Sequence, residues 1–104
     1  MIKRVFVFSL PEGTNPDEFW KFWTDVHAAQ YKKVPGLRKY TINRVSQVAK
    51  GDAKFWGLAE TWWDSIDAHD NSLNSPEMKP IYEDKFAEKI LGGFGAWVEE
   101  KEVK

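Results

Sequence analysis

The stretch Asn15-Pro16-Asp17-Glu18-Phe19-Trp20-Lys21-Phe22-Trp23-Thr24-Asp25-Val26-His27 opens a helix, and the rest of the chain reads outward from it. Asn15 is a good N-cap, Pro16 suits the first helical position, and Glu18 sits where a capping box places its acid. The helix is predicted to run to about Val34, where Pro35-Gly36 stops it. At about 100° per residue, Phe22, Val26, Phe19, Trp23, Val34, Trp20 and Tyr31 share one wide arc, and Glu18, Lys21, Asp25 and Lys32 lie opposite. Such a helix covers a sheet. Two polar residues interrupt the arc, Gln30 near its centre and His27 between Val34 and Trp20.

Upstream, Lys3-Arg4-Val5-Phe6-Val7-Phe8-Ser9 is a β-branched and aromatic run ended by Pro11 and Gly13, and reads as a strand. Downstream, Leu37 to Ala49 is extended, Lys50-Gly51-Asp52-Ala53 is a turn, and Lys54 to Trp63 is its antiparallel partner. Asp64 can cap a second helix through Ile66, Ala68 and Leu73. Asn74-Ser75-Pro76 interrupts it, and a further helical stretch runs from about Pro80 to Leu91. Gly92-Gly93 ends that stretch, and Phe94 to Val103 supplies the last strand. The order is βαββαβ in one domain spanning residues 1–104. An α+β fold follows, an antiparallel sheet with its helices on one face. Along the third strand Trp56, Leu58 and Trp62 alternate with Phe55, Ala59, Thr61 and Trp63, so both sheet faces are expected to be covered.

Composition narrows the function classes. With 15 basic and 16 acidic residues spread along 104 positions there is no footprint for nucleic acid or an anionic membrane. The absence of cysteine excludes a disulfide scaffold, a thiolate metal site and a cysteine nucleophile, and two histidines are too few for a histidine-only metal site. No metal or cofactor is expected. The apolar run near Met1 is too short for a signal-peptide core, and no window reaches the roughly 20 apolar residues of a membrane span, so the expected location is the cytoplasm. Six tryptophans and seven phenylalanines are many for a small core; a pocket or a subunit interface would use the surplus.

Glu18-Phe19, Trp23, His27-Ala28, Pro35-Gly36-Leu37-Arg38, Tyr40 and Asn43 together resemble the opening of the EthD-like family. Gly57-Leu58-Ala59-Glu60-Thr61-Trp62-Trp63-Asp64-Ser65 is similar to that family's central strand and helix entry, and Ser75-Pro76-Glu77 to a weaker third marker. The resemblance implies a ferredoxin-like monomer whose sheet packs on that of a second copy, a dimeric α+β barrel, with a pocket between helices and sheet. Proteins of this kind are linked to ether breakdown alongside a cytochrome P450. Structural relatives include methylmuconolactone isomerases, cofactor-free monooxygenases and polyketide dehydratases. The muconolactone-type isomerases are similar to this chain at His27 and Tyr40.

Two readings compete for each candidate. His27 is either a core histidine bonded to a backbone carbonyl or a proton carrier near neutral pH, and the resemblance tips it toward the second. Tyr40 is a strand-edge phenol or a donor to a developing enolate oxygen. Trp20, Trp23 and Tyr31 flank His27, as packing or as the wall of an apolar pocket. Asn43 lies three residues beyond Tyr40, and joins it only if a bulge intervenes. Glu60 is an interface ion pair, a partner for His27 or a raised-pKa base, and His69, between Asp67 and Asp70, is expected on the surface. The leading expectation is a cofactor-free homodimeric enzyme on a hydrophobic carbonyl compound, of isomerase, dehydratase or monooxygenase type. Its alternatives are a ligand-binding accessory to an oxygenase and a haem-binding barrel with His27 as axial ligand.

Overall fold

Four strands form one sheet in the computed structural model, which describes residues 1–52 and 54–104. They are β1, Ile2–Ser9; β2, Leu37–Arg44; β3, Gly57–Trp63; and β4, Leu91–Val98. All pairings are antiparallel in the order β2-β3-β1-β4, with β1 between β3 and β4. The helices are α1, Pro16–Phe22; α2, Ala28–Tyr31; α3, Ile66–Ser72; and α4, Lys79–Glu83. This is the expected α+β, ferredoxin-like arrangement. Among the described residues no helix is long and apolar enough to cross a membrane.

The first helix starts as its sequence dictates, with the Asn15 side chain accepting from the N–H groups of Asp17 and Glu18. It does not stay α-helical. Trp23–His27 forms a π-type turn, closed by the Ala28 N–H donating to the Trp23 carbonyl, before α2 resumes. In an α-helix each four-residue step overshoots a full turn by about 40°. The wider turn offsets that drift, so Phe19, Trp23 and His27 are all buried while Val26, expected in the apolar arc, is 43% exposed.

Several boundaries differ from the sequence reading, each for a local reason. The ladder between β2 and β3 closes at the Val45 N–H to Trp56 carbonyl bond. Trp56 instead gives its own N–H to the Phe8 carbonyl and packs with Phe8, Phe19, Trp20 and Trp23, leaving the face of Leu58 and Trp62. Phe55 is likewise outside the alternation and exposed. The expected turn at Lys50 to Ala53 includes Ala53, which lies outside the described residues. Ser65, not Asp64, caps α3 by accepting from the Ala68 N–H, while Asp64 pairs with Arg38 at 2.6 Å. The stretch expected as helix from Pro80 to Leu91 is broken by Lys85 in the left-handed region, φ 59°, between α4 and a 3-10 turn at Phe86–Lys89. Gly92-Gly93 lies inside β4 rather than ending a helix. Both have positive φ where the register against β1 shifts, and a Cβ on Gly93 would stand 2.9 Å from the Phe6 ring.

The helix-facing side of the sheet holds two apolar clusters, one around Phe8, Phe19 and Trp23, the other around Val34, Trp63, Met78 and Ile81. His69 joins the second region instead of the surface. It is buried edge-on to Trp63 and Trp97, because α3 turns that side toward the end of the sheet. On the opposite face Trp62 is overlain by Lys3 and Lys39, and Val5, Val7 and Leu58 are half-buried beside the exposed Phe94.

Candidate functional site

A cavity of about 470 Å³ opens between the two clusters. The sheet supplies its floor through Arg4 and Phe6 of β1, Tyr40 of β2, and Ala59 and Thr61 of β3. Trp23, His27 and Tyr31 form one wall. Met78, Ile81 and Phe86 form the other, with the exposed Tyr82, Lys85 and Glu88 at the mouth.

The π-type turn brings His27 to this cavity, and Asp84, the residue that follows α4, is its partner. His27 Nδ1 lies 2.7 Å from Asp84 Oδ2, and both side chains are nearly buried. The other carboxylate oxygen of Asp84 accepts the Phe86 N–H at 2.8 Å. The left-handed Lys85 folds the chain back between them, so that the Phe86 ring stacks on the imidazole, centroids 4.0 Å apart and planes 19° apart. His27 is thus gripped at its edge by a carboxylate and on one face by a ring. With Asp84 accepting, Nδ1 carries the proton and Nε2 keeps its lone pair, the tautomer a proton acceptor needs. Burial holds the His27 pKa below its ordinary value of 6.5, although the bond to Asp84 acts the other way. The ring is therefore neutral at neutral pH, with Nε2 free to accept a proton.

Tyr31 and Tyr40 continue the polar edge of the cavity, His27 to Tyr31 at 5.9 Å and Tyr31 to Tyr40 at 5.1 Å between ring centroids. Burial raises the pKa of both phenols, that of Tyr40 far above the tyrosine range despite the opposing Trp23 indole. Both stay protonated and can donate. Base and donors thus meet on the wall and floor of one mostly apolar cavity.

Of the residues singled out from sequence, His27, Tyr40, Trp23 and Tyr31 line this cavity; Trp20 and Asn43 do not. Trp20 packs edge-on to Trp23 and lies under Arg44. The register of β2 shifts between Leu37 and Lys39, before Tyr40 rather than between Tyr40 and Asn43. Asn43 therefore stays on the opposite face, its amide donating to the Leu58 carbonyl. Glu60 is on that face too, bonded to Lys3 at 2.6 Å and to Thr41, and the Lys3 ammonium lowers its pKa. It serves neither as a raised-pKa base nor as the partner of His27.

Sequence reasoning missed Asp84, Phe86 and Arg4. No local pattern marks Asp84, which lies 57 residues from His27 in a stretch read as continuous helix. Arg4 did carry a signal, since strand alternation sets it between Ile2 and Phe6 on the side that faces the core. Among the described residues no group of three or more His, Asp or Glu side chains is arranged to hold a metal ion.

A family model described as EthD domain matches residues 11–89. Among solved structures, an ethyl tert-butyl ether D (EthD) family protein from Bacillus halodurans is similar at 27% identity and a TM-score of 0.76, over 97% of this chain and 99% of that one. A dimeric protein of ferredoxin-like fold from Bacteroides fragilis is similar at 14% identity and a TM-score of 0.73, over 95% of each chain. SnoaB, a cofactor-independent oxygenase from Streptomyces nogalater, is similar at 18% identity and a TM-score of 0.67, over 98% of this chain and 94% of that one. No curated protein matches the chain.

Proposed function

The chain belongs to the EthD domain family, and from that premise we propose that it is a cofactor-free enzyme that moves a proton on a hydrophobic, carbonyl-bearing small molecule. The observation that carries this reading is the His27–Asp84 pair on the wall of a mostly apolar cavity, with Nε2 as the ring nitrogen left to react. His27 Nε2 takes a proton from the carbon beside the carbonyl; the C–H bond breaks and its electron pair delocalises onto the carbonyl oxygen as an enolate. Tyr40 donates to that oxygen. Asp84 holds the ring in orientation and stabilises the imidazolium while it exists. Returning the proton to a different carbon completes an isomerisation; departure of a β-hydroxyl as water, protonated by the imidazolium, gives a dehydration, and attack of the carbanion on molecular oxygen as co-substrate gives an oxygenation. The likeness to SnoaB is compatible with the last of these but lies in the fold.

The working unit in this proposal is a homodimer, like the dimeric Bacteroides protein of similar fold, joined through the sheet face where the half-buried Val5, Val7 and Leu58 lie beside the exposed Phe94. Light scattering on a size-exclusion column should return twice the 12.1 kDa chain mass; a persistent monomer overturns this assembly.

The chemical test is deuterium uptake beside the carbonyl of a panel of aryl ketones and unsaturated lactones in heavy water, followed by NMR. Wild type should exchange at least one member, and His27→Gln should not. Binding without exchange beyond the His27→Gln background would sink the proton-transfer reading in favour of a ligand-binding accessory role.

A further inference from the structure

We propose that Arg4 makes this cavity selective for acids: the ligand carries a carboxylate that Arg4 binds, in addition to the carbonyl group that faces His27. This rests on the cavity being a ligand site and deepens that reading. Arg4 occupies an inward position of β1, where its cross-strand neighbours are Thr61 and Trp97. It is half-buried on a floor otherwise made of Phe6, Tyr40, Ala59 and Thr61, a place without any other charged group. A cation kept there calls for a partner. Among the described residues the protein supplies none. The ion pairs use Lys3, Arg38, Arg44 and Lys79 as their lysine or arginine members, and the side-chain hydrogen bonds likewise leave Arg4 out. Glu88, the acid that lines the cavity, stands exposed at its mouth and makes no ion pair with Arg4, and the buried Asp84 behind His27 is already engaged by that ring and by the Phe86 N–H.

The surroundings nevertheless fix the guanidinium in place. It lies over the Phe6 ring at 5.7 Å, and it reaches beneath Gly95, where a Cβ would come within 3.2 Å of Nη2. A planar fork steadied by an aromatic ring, with its donors unspent, is suited to bidentate recognition of a carboxylate. The Tyr31 phenol, near enough for the Arg4 charge to act on it, can add a further donor.

The experiment compares naphthoic acid, its methyl ester and naphthol for binding at neutral pH, by quenching of tryptophan fluorescence and by calorimetry. Wild type should bind the acid roughly 10- to 100-fold more tightly than the ester, the range expected of hydrogen bonds to a charged group. Arg4→Met should erase that preference while still binding the ester, and Arg4→Lys should restore part of it. Circular dichroism establishes that each variant is folded. Equal or tighter binding of the ester by wild type, a preference that survives Arg4→Met, or no binding of any probe overturns the proposal; naphthol binding as tightly as the acid assigns Arg4 to an oxyanion in general and overturns carboxylate selectivity. An acid preference in a wild type that shows no deuterium exchange would remove the proton-transfer reading and leave this one standing.

Discussion

His27 and His69 have almost the same immediate surroundings. Their exposures are 8% and 9%, each has Nδ1 beside an aspartate, at 2.7 Å and 3.0 Å, and each touches aromatic rings. What differs is the next layer out. The partner of His27 is a nearly buried carboxylate brought from 57 residues away, and its ring lines a cavity; the partner of His69 is its exposed neighbour Asp70, and its ring fills the space between Trp63 and Trp97. Burial and an acid partner therefore do not mark a working histidine. What sets His27 apart as the proposed base is the reachable space beside its ring.

The comparison can be broken most directly by removing each ring. His27→Gln should lower the rate of α-proton exchange by roughly 10²–10⁴-fold, whereas His69→Gln should leave the rate per folded molecule unchanged. Equal losses in the two variants would erase the distinction. Stability is the poorer test: His27→Gln disturbs a buried polar pair at about 1–3 kcal/mol, and His69→Gln also costs stability, through the packing of its ring between Trp63 and Trp97, although its partner Asp70 is exposed. The aspartates sharpen the contrast at a smaller scale. Asp84→Asn should slow exchange about 10- to 100-fold by loosening the ring and its tautomer, and Asp70→Asn should do nothing measurable to the rate.

A pH experiment isolates His27 thermodynamically. Its native pKa lies below 6.5 because burial disfavours the charged ring. Under mildly acidic conditions the unfolded chain therefore binds a proton that the native ring refuses. Stability from this group is complete above pH 6.5 and declines as the pH falls from there toward the native pKa. Urea unfolding on both sides of pH 6.5 should show that decline in wild type and a shallower one in His27→Gln; identical slopes would mean that His27 titrates normally. The smallest effect belongs to Lys85, whose left-handed backbone holds Asp84 and Phe86 against His27. Lys85→Gly should raise stability by about 1 kcal/mol or less in a thermal melt, since only the side-chain clash at positive φ is removed.

These contrasts also show how far the sequence could be read. Element order, the Asn15 cap and the inward set of β3 from Ala59 to Trp63 follow from periods and caps, which are local properties. His27, Tyr31, Trp23 and Tyr40 could be placed on one cavity because helix face and strand parity survive into the structure. Asp84 could not, because its role is created by a chain reversal at Lys85 that no repeat announces. His69 was misread for a related reason: flanking acids suggest water, but the packing of α3 against the sheet end decides. Asn43 depended on where a bulge falls, and one residue of register settles that.

The wide turn at Trp23–His27 bears on how this helix tolerates change in length. Its surplus residue is absorbed within the helix, so Asn15 at one end and Pro35-Gly36 at the other set the span independently. Deleting one residue there, Asp25 for instance, would let the segment relapse into regular α-helix without breaking a cap or straining a loop. Residues beyond the deletion would keep nearly the angle about the axis they have now, because the lost residue is the one the wide turn absorbs, and Tyr31 would stay on its wall. The same deletion within α1, which has no surplus to give up, would instead swing every later residue by about 100°, an error of phase rather than of composition.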